Sequence, residues 1–271
     1  MSTATVTLPT TQVQRTPRHT ANVYLKEAKY EFLKYLRLRM YTLSVLSFPV
    51  MFYVLFGLVL NSNESIAGTR VTVYLIPSYG TFGVIAASLF ATAAGLASDR
   101  GLGWLEVKRA SPMPPFAYFV AKCFTSVVFS TVVVLSLFAL GIAFGGVRMS
   151  TLAFAKLLGT LVAGSIPFSA MGLALGYFTG PNSAPPTINL IYLPMSFCSG
   201  LWVPIMFLPK IVQKIAFVMP AYHLSQLALG VVGGGQHEPA ATHWEVLLAF
   251  TMICLGVARI GFQRDQEKMY G

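Results

Sequence analysis

The sequence predicts an all-α membrane protein with six transmembrane helices, an N-terminal interfacial amphipathic helix, and external re-entrant helices between spans five and six. Three observations support this fold class: the composition, six long apolar runs, and the distribution of positive charge. Of the 271 residues, 55% are hydrophobic and 10% are charged, whereas about 25% of the residues of a soluble domain are charged. The composition therefore indicates a chain built into a lipid bilayer.

Each apolar run is long enough to cross a membrane as a helix. A hydrocarbon core about 30 Å thick requires about 20 apolar helical residues. Only helices and closed barrels pair every backbone N–H and C=O group there, and the runs lack the two-residue alternation of barrel strands. The six predicted spans are Leu43–Leu60, Val71–Ala97, Phe116–Phe144, Leu152–Phe178, Ile188–Phe207 and Trp244–Phe262.

Lysine and arginine are concentrated on one side of the predicted bundle. The segments 1–42, 98–122, 179–187 and 259–271 contain 14 of the 19 basic residues, and the alternate segments contain five. Because basic residues are retained on the cytoplasmic side, this distribution predicts that both termini are cytoplasmic. The net charge of +10 therefore reflects topology and attraction to anionic lipid rather than binding of nucleic acid.

The N-terminal region divides into a tail and an amphipathic helix. Residues 1–21 are rich in threonine and have no apolar core, which predicts a disordered cytoplasmic tail. Residues 22–39 are predicted to lie in the headgroup plane as a basic amphipathic helix. The predicted apolar positions are Leu25, Ala28, Phe32 and Leu36, with Lys26, Lys34 and Arg37 on the other side. The permease domain is predicted to span residues 40–264, followed by a cytoplasmic tail over 265–271.

Two connecting segments differ from simple loops. Between the second and third runs, Leu102–Arg109 could form two helical turns that end before three prolines. Residues 208–235 are apolar, but two lysines, a proline and a histidine interrupt them. A seventh crossing there would place the basic residues of the C-terminal segment outside the cell, against the charge rule. Two short re-entrant helices on the external face are therefore predicted.

The distribution of reactive side chains argues against several functions. All nine carboxylates lie in tails, loops or at the ends of runs, which weakens an ion-coupled carrier, because such carriers bind the ion at depth. No nucleophile–base set supports an enzyme. The GxxxxGK[ST] phosphate loop is absent, so ATP would have to be bound by another polypeptide. We predict no metal site, because His223, His237 and His243 lack a ligand spacing and are expected to be solvated or to face the lipid headgroups.

One loop resembles the G-T-L-E-x-L-x-x-T-P signature of type-two ATP-binding-cassette (ABC) exporter permeases. The matching segment runs Gly-Trp-Leu-Glu-Val-Lys-Arg-Ala-Ser-Pro over residues 103–112, with Trp104 and Lys108 as departures. The family's S-G…P…L-P…P pattern is similar to Ser199-Gly200, Pro204, Leu208-Pro209 and Pro220. The resemblance covers about residues 22–264, and its overall pattern is closest to the drug and antibiotic export branch.

This resemblance implies that the loop is a coupling helix that docks on a nucleotide-binding subunit. The implied docking residues are Gly103, Trp104, Leu105, Glu106, Val107, Lys108 and Arg109. Trp104 and Leu105 would be the anchors, with Glu106, Lys108 and Arg109 making polar contacts. The implied partners are two ABC ATPase subunits, which bind ATP and Mg, a second permease copy in a homodimer, and membrane lipids. The chain itself would hold no cofactor and have no enzyme activity.

The resemblance also implies a bacterial inner-membrane exporter of a hydrophobic or amphipathic substrate such as a drug, an antibiotic or a lipid-like molecule. The substrate route is assigned to Phe52, Phe56, Phe197 and Trp202, because the family's interface involves the first and fifth spans. A polysaccharide or glycolipid export permease of the same family is one alternative. An ATP-independent membrane carrier is another, and a membrane-anchored assembly factor without transport is a third.

Overall fold

The structure, a computed structural model, describes residues 17–60, 64–66, 68–111, 113–236 and 238–270. The described part begins with helix α1, Pro17–Arg37, and continues after Leu38 as α2, Arg39–Phe52, which becomes a π-helix over Tyr53–Leu60. A two-stranded antiparallel hairpin, β1 (Ser65–Ile66) and β2 (Thr69–Arg70), connects it to the next helix.

The remaining described residues are almost entirely helical. Helix α3 continues through a π-helical segment, Phe90–Ala94, into α4, and a short 3₁₀ helix, Ile205–Phe207, follows α9. The α-helices are α3 (Val71–Leu89), α4 (Gly95–Gly101), α5 (Trp104–Ala110), α6 (Pro115–Gly145), α7 (Thr151–Ala163), α8 (Ser165–Phe178), α9 (Ala184–Cys198), α10 (Lys210–Ala216), α11 (Pro220–Val231) and α12 (Ala240–Tyr270).

Five helical segments among the described residues are long and apolar enough to cross a membrane. They are Tyr41–Leu60, Val71–Gly101, Phe116–Gly145, Thr151–Phe178 and Ala240–Gln266. They coincide with five of the six predicted spans. The predicted span Ile188–Phe207 instead overlaps the 15-residue helix α9, which begins at Ala184 and ends at Cys198, before a left-handed glycine, Gly200 (φ +76°). The two short helices predicted after it are present as α10 and α11.

The second span forms the centre of the subunit. Nearly every residue of α3 is buried, and the first, third and last spans leave most of their surface outside the protein core. Hydroxyl groups join three of these helices, because Ser126 Oγ lies 2.9 Å from Ser88 Oγ of α3 and 2.9 Å from Ser169 Oγ of α8. Ser169 therefore contributes to the packing of α8 against α6.

Two glycines bring α8 against the π-helical segment of the second span. A Cβ atom at Gly172 would overlap Thr92 Oγ1 and lie 3.2 Å from the backbone nitrogen of Ala93. At Gly176 it would lie 2.9 Å from the Cβ of Leu96. The four-residue glycine spacing thus permits close packing inside one subunit.

Helix α1 packs on the bundle through a buried stripe that shares only Ala28 with the predicted apolar positions. The buried stripe of α1 is Ala28, Glu31 and Tyr35, while Leu25, one of the predicted apolar positions, is 69% exposed. The reason is that α1 packs against α6, which carries a buried lysine that requires a carboxylate partner. Location at the membrane interface stays a prediction for the outward face.

Both predicted terminal tails are shorter than expected. Residues 17–21 already belong to α1, and residues 1–16 lie outside the described residues. At the other end, α12 extends through the predicted tail to Tyr270, because Asp265 is bonded to Arg100 of α4. The helix therefore continues beyond the apolar segment.

Replacing Gly172 by valine should destabilise the protein by about 1–3 kcal/mol, because the added carbons overpack a contact between two helices. The melting temperature of the detergent-solubilised variant measures this loss. Gly159→Val is the matched control, since nothing lies within 4 Å of a Cβ at Gly159. Equal melting temperatures for the two variants would contradict the packing described for α8.

Candidate functional site: a short helix attached to an ionic cluster

Helix α5 follows the end of the second span after a tight reversal. Gly103 has φ +74°, a left-handed conformation that glycine adopts at little cost and other residues rarely adopt. Glu106 lies in the first turn of α5, where a carboxylate interacts favourably with the helix dipole. The predicted two-turn helix is therefore present, and the left-handed backbone at position 103 explains why a glycine precedes it.

The two sides of α5 differ in exposure. Leu105 is buried and belongs to a cluster with Leu96, Tyr118 and Tyr177. Trp104 and Val107 are 55% and 60% exposed, and Glu106 is also exposed. The anchor role predicted for Leu105 is therefore corrected, because its side chain holds α5 against the bundle. Trp104 remains on the accessible side.

Lys108 also points toward the subunit rather than outward. Its ammonium forms an ion pair with Glu27 of α1 and lies 3.9 Å from Glu31. It also lies 4.7 Å from the centre of the Tyr118 ring, a favourable cation–π position. Lys108 therefore connects α5 to α1, in place of the partner contact expected from the sequence. The side chain of Arg109 is outside the described part of the structure.

A buried ionic cluster lies directly behind this connection. Lys122 of α6 is fully buried, and its Nζ lies 2.6 Å from Glu31 and 3.0 Å from Asp99. Asp99 also pairs with Lys34 of α1 and accepts a hydrogen bond of 2.8 Å from the Tyr118 hydroxyl. We call Glu27, Glu31, Lys34, Asp99, Lys108, Tyr118 and Lys122 the ionic cluster.

The ionic cluster joins four helices at the end of the bundle that carries α5. Its members come from α1, α4, α5 and α6. A buried charge is stable only with a partner and satisfied hydrogen bonds, and each charge here has an opposite charge within 4.0 Å. Tyr35 closes one side of the cluster, and burial raises the pKa of its hydroxyl.

These charges lie together at one end of the spans, as the charge distribution predicts, but their burial was not predicted. Lys122 lies six residues inside the third apolar run, and this position is the signal that could have revealed it. A lysine at that depth requires a carboxylate partner. Glu31 falls between Ala28 and Tyr35 at helical spacing, so it was a candidate for that partner.

Arg100 fixes the same end of the bundle to the last span. Its guanidinium donates to Asp265 at 2.9 and 2.6 Å, and to the carbonyls of Gly176 and Tyr177 at 3.0 and 2.9 Å. These carbonyls end α8, so Arg100 satisfies acceptors that the helix leaves unpaired. An open cavity of about 490 Å³ lies between Arg100, Glu106 and Pro181.

The four residues assigned to the substrate route meet in one aromatic cluster. The Phe52 ring lies 5.5 Å from Trp202 and 6.0 Å from Phe56, and Phe197 lies 6.3 Å from Trp202. Phe52 also stacks on Tyr79 at 5.9 Å. The Trp202 Nε1 and Tyr79 hydroxyl groups are buried without a hydrogen-bond partner among the described residues.

The structure corrects the expectation that the histidines are solvated. His223 and His243 are buried, with their Nδ1 atoms 2.8 Å apart. They join α11 to the beginning of α12. Among the described residues, no three His, Cys, Asp or Glu side chains form a group that could hold a metal, and His237 lies outside those residues.

Comparison with known proteins agrees with this arrangement. Residues 27–232 match the family model described as ABC-2 type transporter. The chain belongs to this family. It is also 25% identical over 246 residues to "Putative transport permease YvfS" of Bacillus subtilis (strain 168), which covers 91% of this chain and 99% of that protein.

Membership of the ABC-2 family makes this chain a transport subunit rather than an enzyme. It is a multi-pass integral membrane protein, and ABC-2 permeases generally work with an ABC ATPase. The family match begins within α1 and ends after α11. It therefore includes the ionic cluster, α5 and the aromatic cluster.

Replacing Lys122 by methionine should destabilise the protein by about 3–5 kcal/mol, because Glu31 and Asp99 remain buried after their partner is removed. A thermal-shift measurement in detergent should give a melting temperature lower by roughly 10 °C. The exposed Lys214→Met is the matched control. Adding Glu31→Gln to the Lys122→Met variant should recover part of the loss. A Lys122→Met melting temperature equal to the control would contradict the buried pairing.

Proposed function

We propose that this chain is the transmembrane subunit of a bacterial ATP-driven exporter. It moves a hydrophobic or amphipathic substrate, such as a drug, an antibiotic or a lipid-like molecule, out of the cell. Two separate ATPase subunits bind ATP and Mg, and a second copy of this chain completes the transporter as a homodimer. The observation that carries the proposal is the exposed face of α5, a helix that is attached to the rest of the subunit through the ionic cluster.

The exposed face of α5 has the composition of a docking surface. Leu102, Trp104 and Val107 are exposed apolar side chains next to the carboxylate of Glu106. A large aromatic anchor beside charged groups is typical of residues that dominate binding energy. Leu105 and Lys108 contribute from the opposite side by fixing the orientation of the helix. The proposed contact surface is therefore smaller than the sequence pattern alone implied.

The ionic cluster provides a route by which movement of α5 is transmitted to the spans. A displacement of α5 pulls Lys108 and, through Glu27 and Glu31, moves α1. Glu31 also holds Lys122, so α6 moves with the same unit. Nucleotide binding that favours one position of α5 therefore favours one arrangement of the spans, which is the energetic requirement for a two-state transporter.

The proposed topology has six crossings with both termini in the cytoplasm of a bacterial inner membrane. The 14-to-5 distribution of basic residues supports this orientation. Helix α9 rises about 22 Å for its 15 residues, so the residues through Phe207 are needed to complete the fifth crossing. Helices α10 and α11 then enter the external leaflet and return.

The aromatic cluster supports the assignment of the route and the dimer face. It joins the first span to the segment after α9, and Phe56 and Phe197 lie partly on the outer surface. Leu55, Val59 and Leu190 extend this apolar surface. A second copy placed against it would enclose aromatic walls suited to an apolar substrate.

The ionic cluster argues against the carrier alternative. An ion-coupled carrier requires an intramembrane charge that binds and releases its ion. Asp99 and Glu31 are instead neutralised by Lys34 and Lys122, and they lie at one end of the bundle. This arrangement favours a structural connection between helices over an ion relay.

Trp104→Ala and Glu106→Arg should each reduce ATPase stimulation and transport about tenfold in proteoliposomes containing the partner ATPase, because each alters the exposed face of α5. An alanine substitution at a central aromatic anchor costs about 2 kcal/mol of binding. Pull-down of the ATPase and substrate-dependent ATP hydrolysis measure the effect. Tyr30→Ala, an exposed aromatic of α1, is the control. Coupled transport at the control level in both variants would overturn the docking assignment.

A further inference from the structure

An open cavity of about 600 Å³ lies between α7, α11 and α12, at the opposite end of the bundle from α5. Its walls combine apolar residues with Lys156, Gln226, Glu238, His243 and Trp244. Gln226 and His243 are buried, whereas Lys156 is exposed. The ionic cluster, the α5 face and the aromatic cluster do not use these residues.

The hydrogen bonds of the histidine pair determine which ring nitrogen of His243 can accept a hydrogen bond from a ligand in this cavity. His223 Nε2 lies 2.9 Å from the Phe217 carbonyl oxygen, which can only accept, so Nε2 carries a proton and donates. In the neutral ring His223 Nδ1 is then an acceptor, and His243 Nδ1 donates to it across 2.8 Å. In the neutral ring of His243, Nε2 is then left with an unshared electron pair.

The nearest charged group to that nitrogen is another acceptor. Glu238 Oε2 lies 3.6 Å from His243 Nε2, which is too long for a hydrogen bond. Two acceptors side by side at a cavity wall are complementary to a compact cation with several N–H donors. A primary ammonium group fits this requirement, and a quaternary ammonium, which has no N–H, does not.

A lysine that also lines the cavity, and the position of the cavity in the bundle, indicate what carries the ammonium. Lys156 on α7 presents a cation suited to a phosphate. It lies in the second turn of a span that begins at Thr151, and Trp244 lies in the second turn of one that begins at Ala240. Lysine and tryptophan at span ends are typical of the headgroup level of a bilayer.

We infer that this cavity binds the headgroup of an aminophospholipid of the phosphatidylethanolamine class. Its ammonium donates to Glu238 and His243, its phosphate contacts Lys156, and its acyl chains follow the apolar surface into the bilayer. The site is independent of the proposed export function, because it uses only residues of this cavity. It makes lipid composition a determinant of how α11 and α12 are held together.

Native mass spectrometry of the full chain with defined lipids tests this inference. Phosphatidylethanolamine should be retained about tenfold more tightly than phosphatidylcholine, which lacks N–H donors, and than phosphatidylglycerol, which lacks the amine. This ratio corresponds to one charge-assisted hydrogen bond. Equal or greater retention of either comparison lipid would overturn the inference.

Substitution of residues that line the cavity tests whether the lipid binds there. Glu238→Gln and Lys156→Met should each reduce phosphatidylethanolamine retention about tenfold. Their melting temperature in lipid-free detergent should be unchanged, because both side chains are at least partly exposed. Lys210→Met, an exposed lysine that does not line the cavity, should have no effect. Wild-type retention in both cavity variants would contradict the assignment. Binding of soluble glycerophosphoethanolamine as tight as that of the lipid would assign the cavity to a solute instead and also overturn the inference.

Discussion

The burial of Lys122 between Glu31 and Asp99 is the constraint on which the structure around α5 depends. An ammonium within an apolar helix is stable only when carboxylates reach it. One carboxylate comes from α1 and the other from the end of the second span. The lysine therefore determines which face of α1 is buried, and that face presents Glu27 to Lys108 of α5.

This arrangement gives the exposed helix a defined mechanical connection. Without an internal partner, α5 would be a short helix of seven residues whose position depends on packing alone. Leu105 packs on one side of it, and the ion pair of Lys108 attaches it to α1. The outward face is then exposed, and we propose that it is the docking surface for the ATPase that ABC-2 permeases generally use. At the other end of the bundle, the histidine pair performs a comparable joining role between α11 and α12.

Much of the fold follows from the sequence because membrane insertion imposes simple rules on length and charge. Five spans, α5 and the two short helices after α9 lie close to where hydropathy and proline positions predict them. The buried stripe of α1 could not be derived from its own periodicity, since its most buried polar residue, Glu31, is selected by a lysine about 90 residues later in the chain. The pairing of His223 with His243 likewise depends on tertiary packing.

A charge exchange between Glu27 and Lys108 tests the central claim most directly. The measurement is ATP-dependent transport and ATPase stimulation in proteoliposomes with the partner ATPase, compared among Glu27→Lys, Lys108→Glu and the combined variant. If the ion pair transmits movement from α5 to α1, each single variant should reduce coupled transport about tenfold, since it places like charges together in a partly buried site. The combined variant should restore most of it. Full coupling in the single variants, or no recovery in the combined variant, would contradict the account.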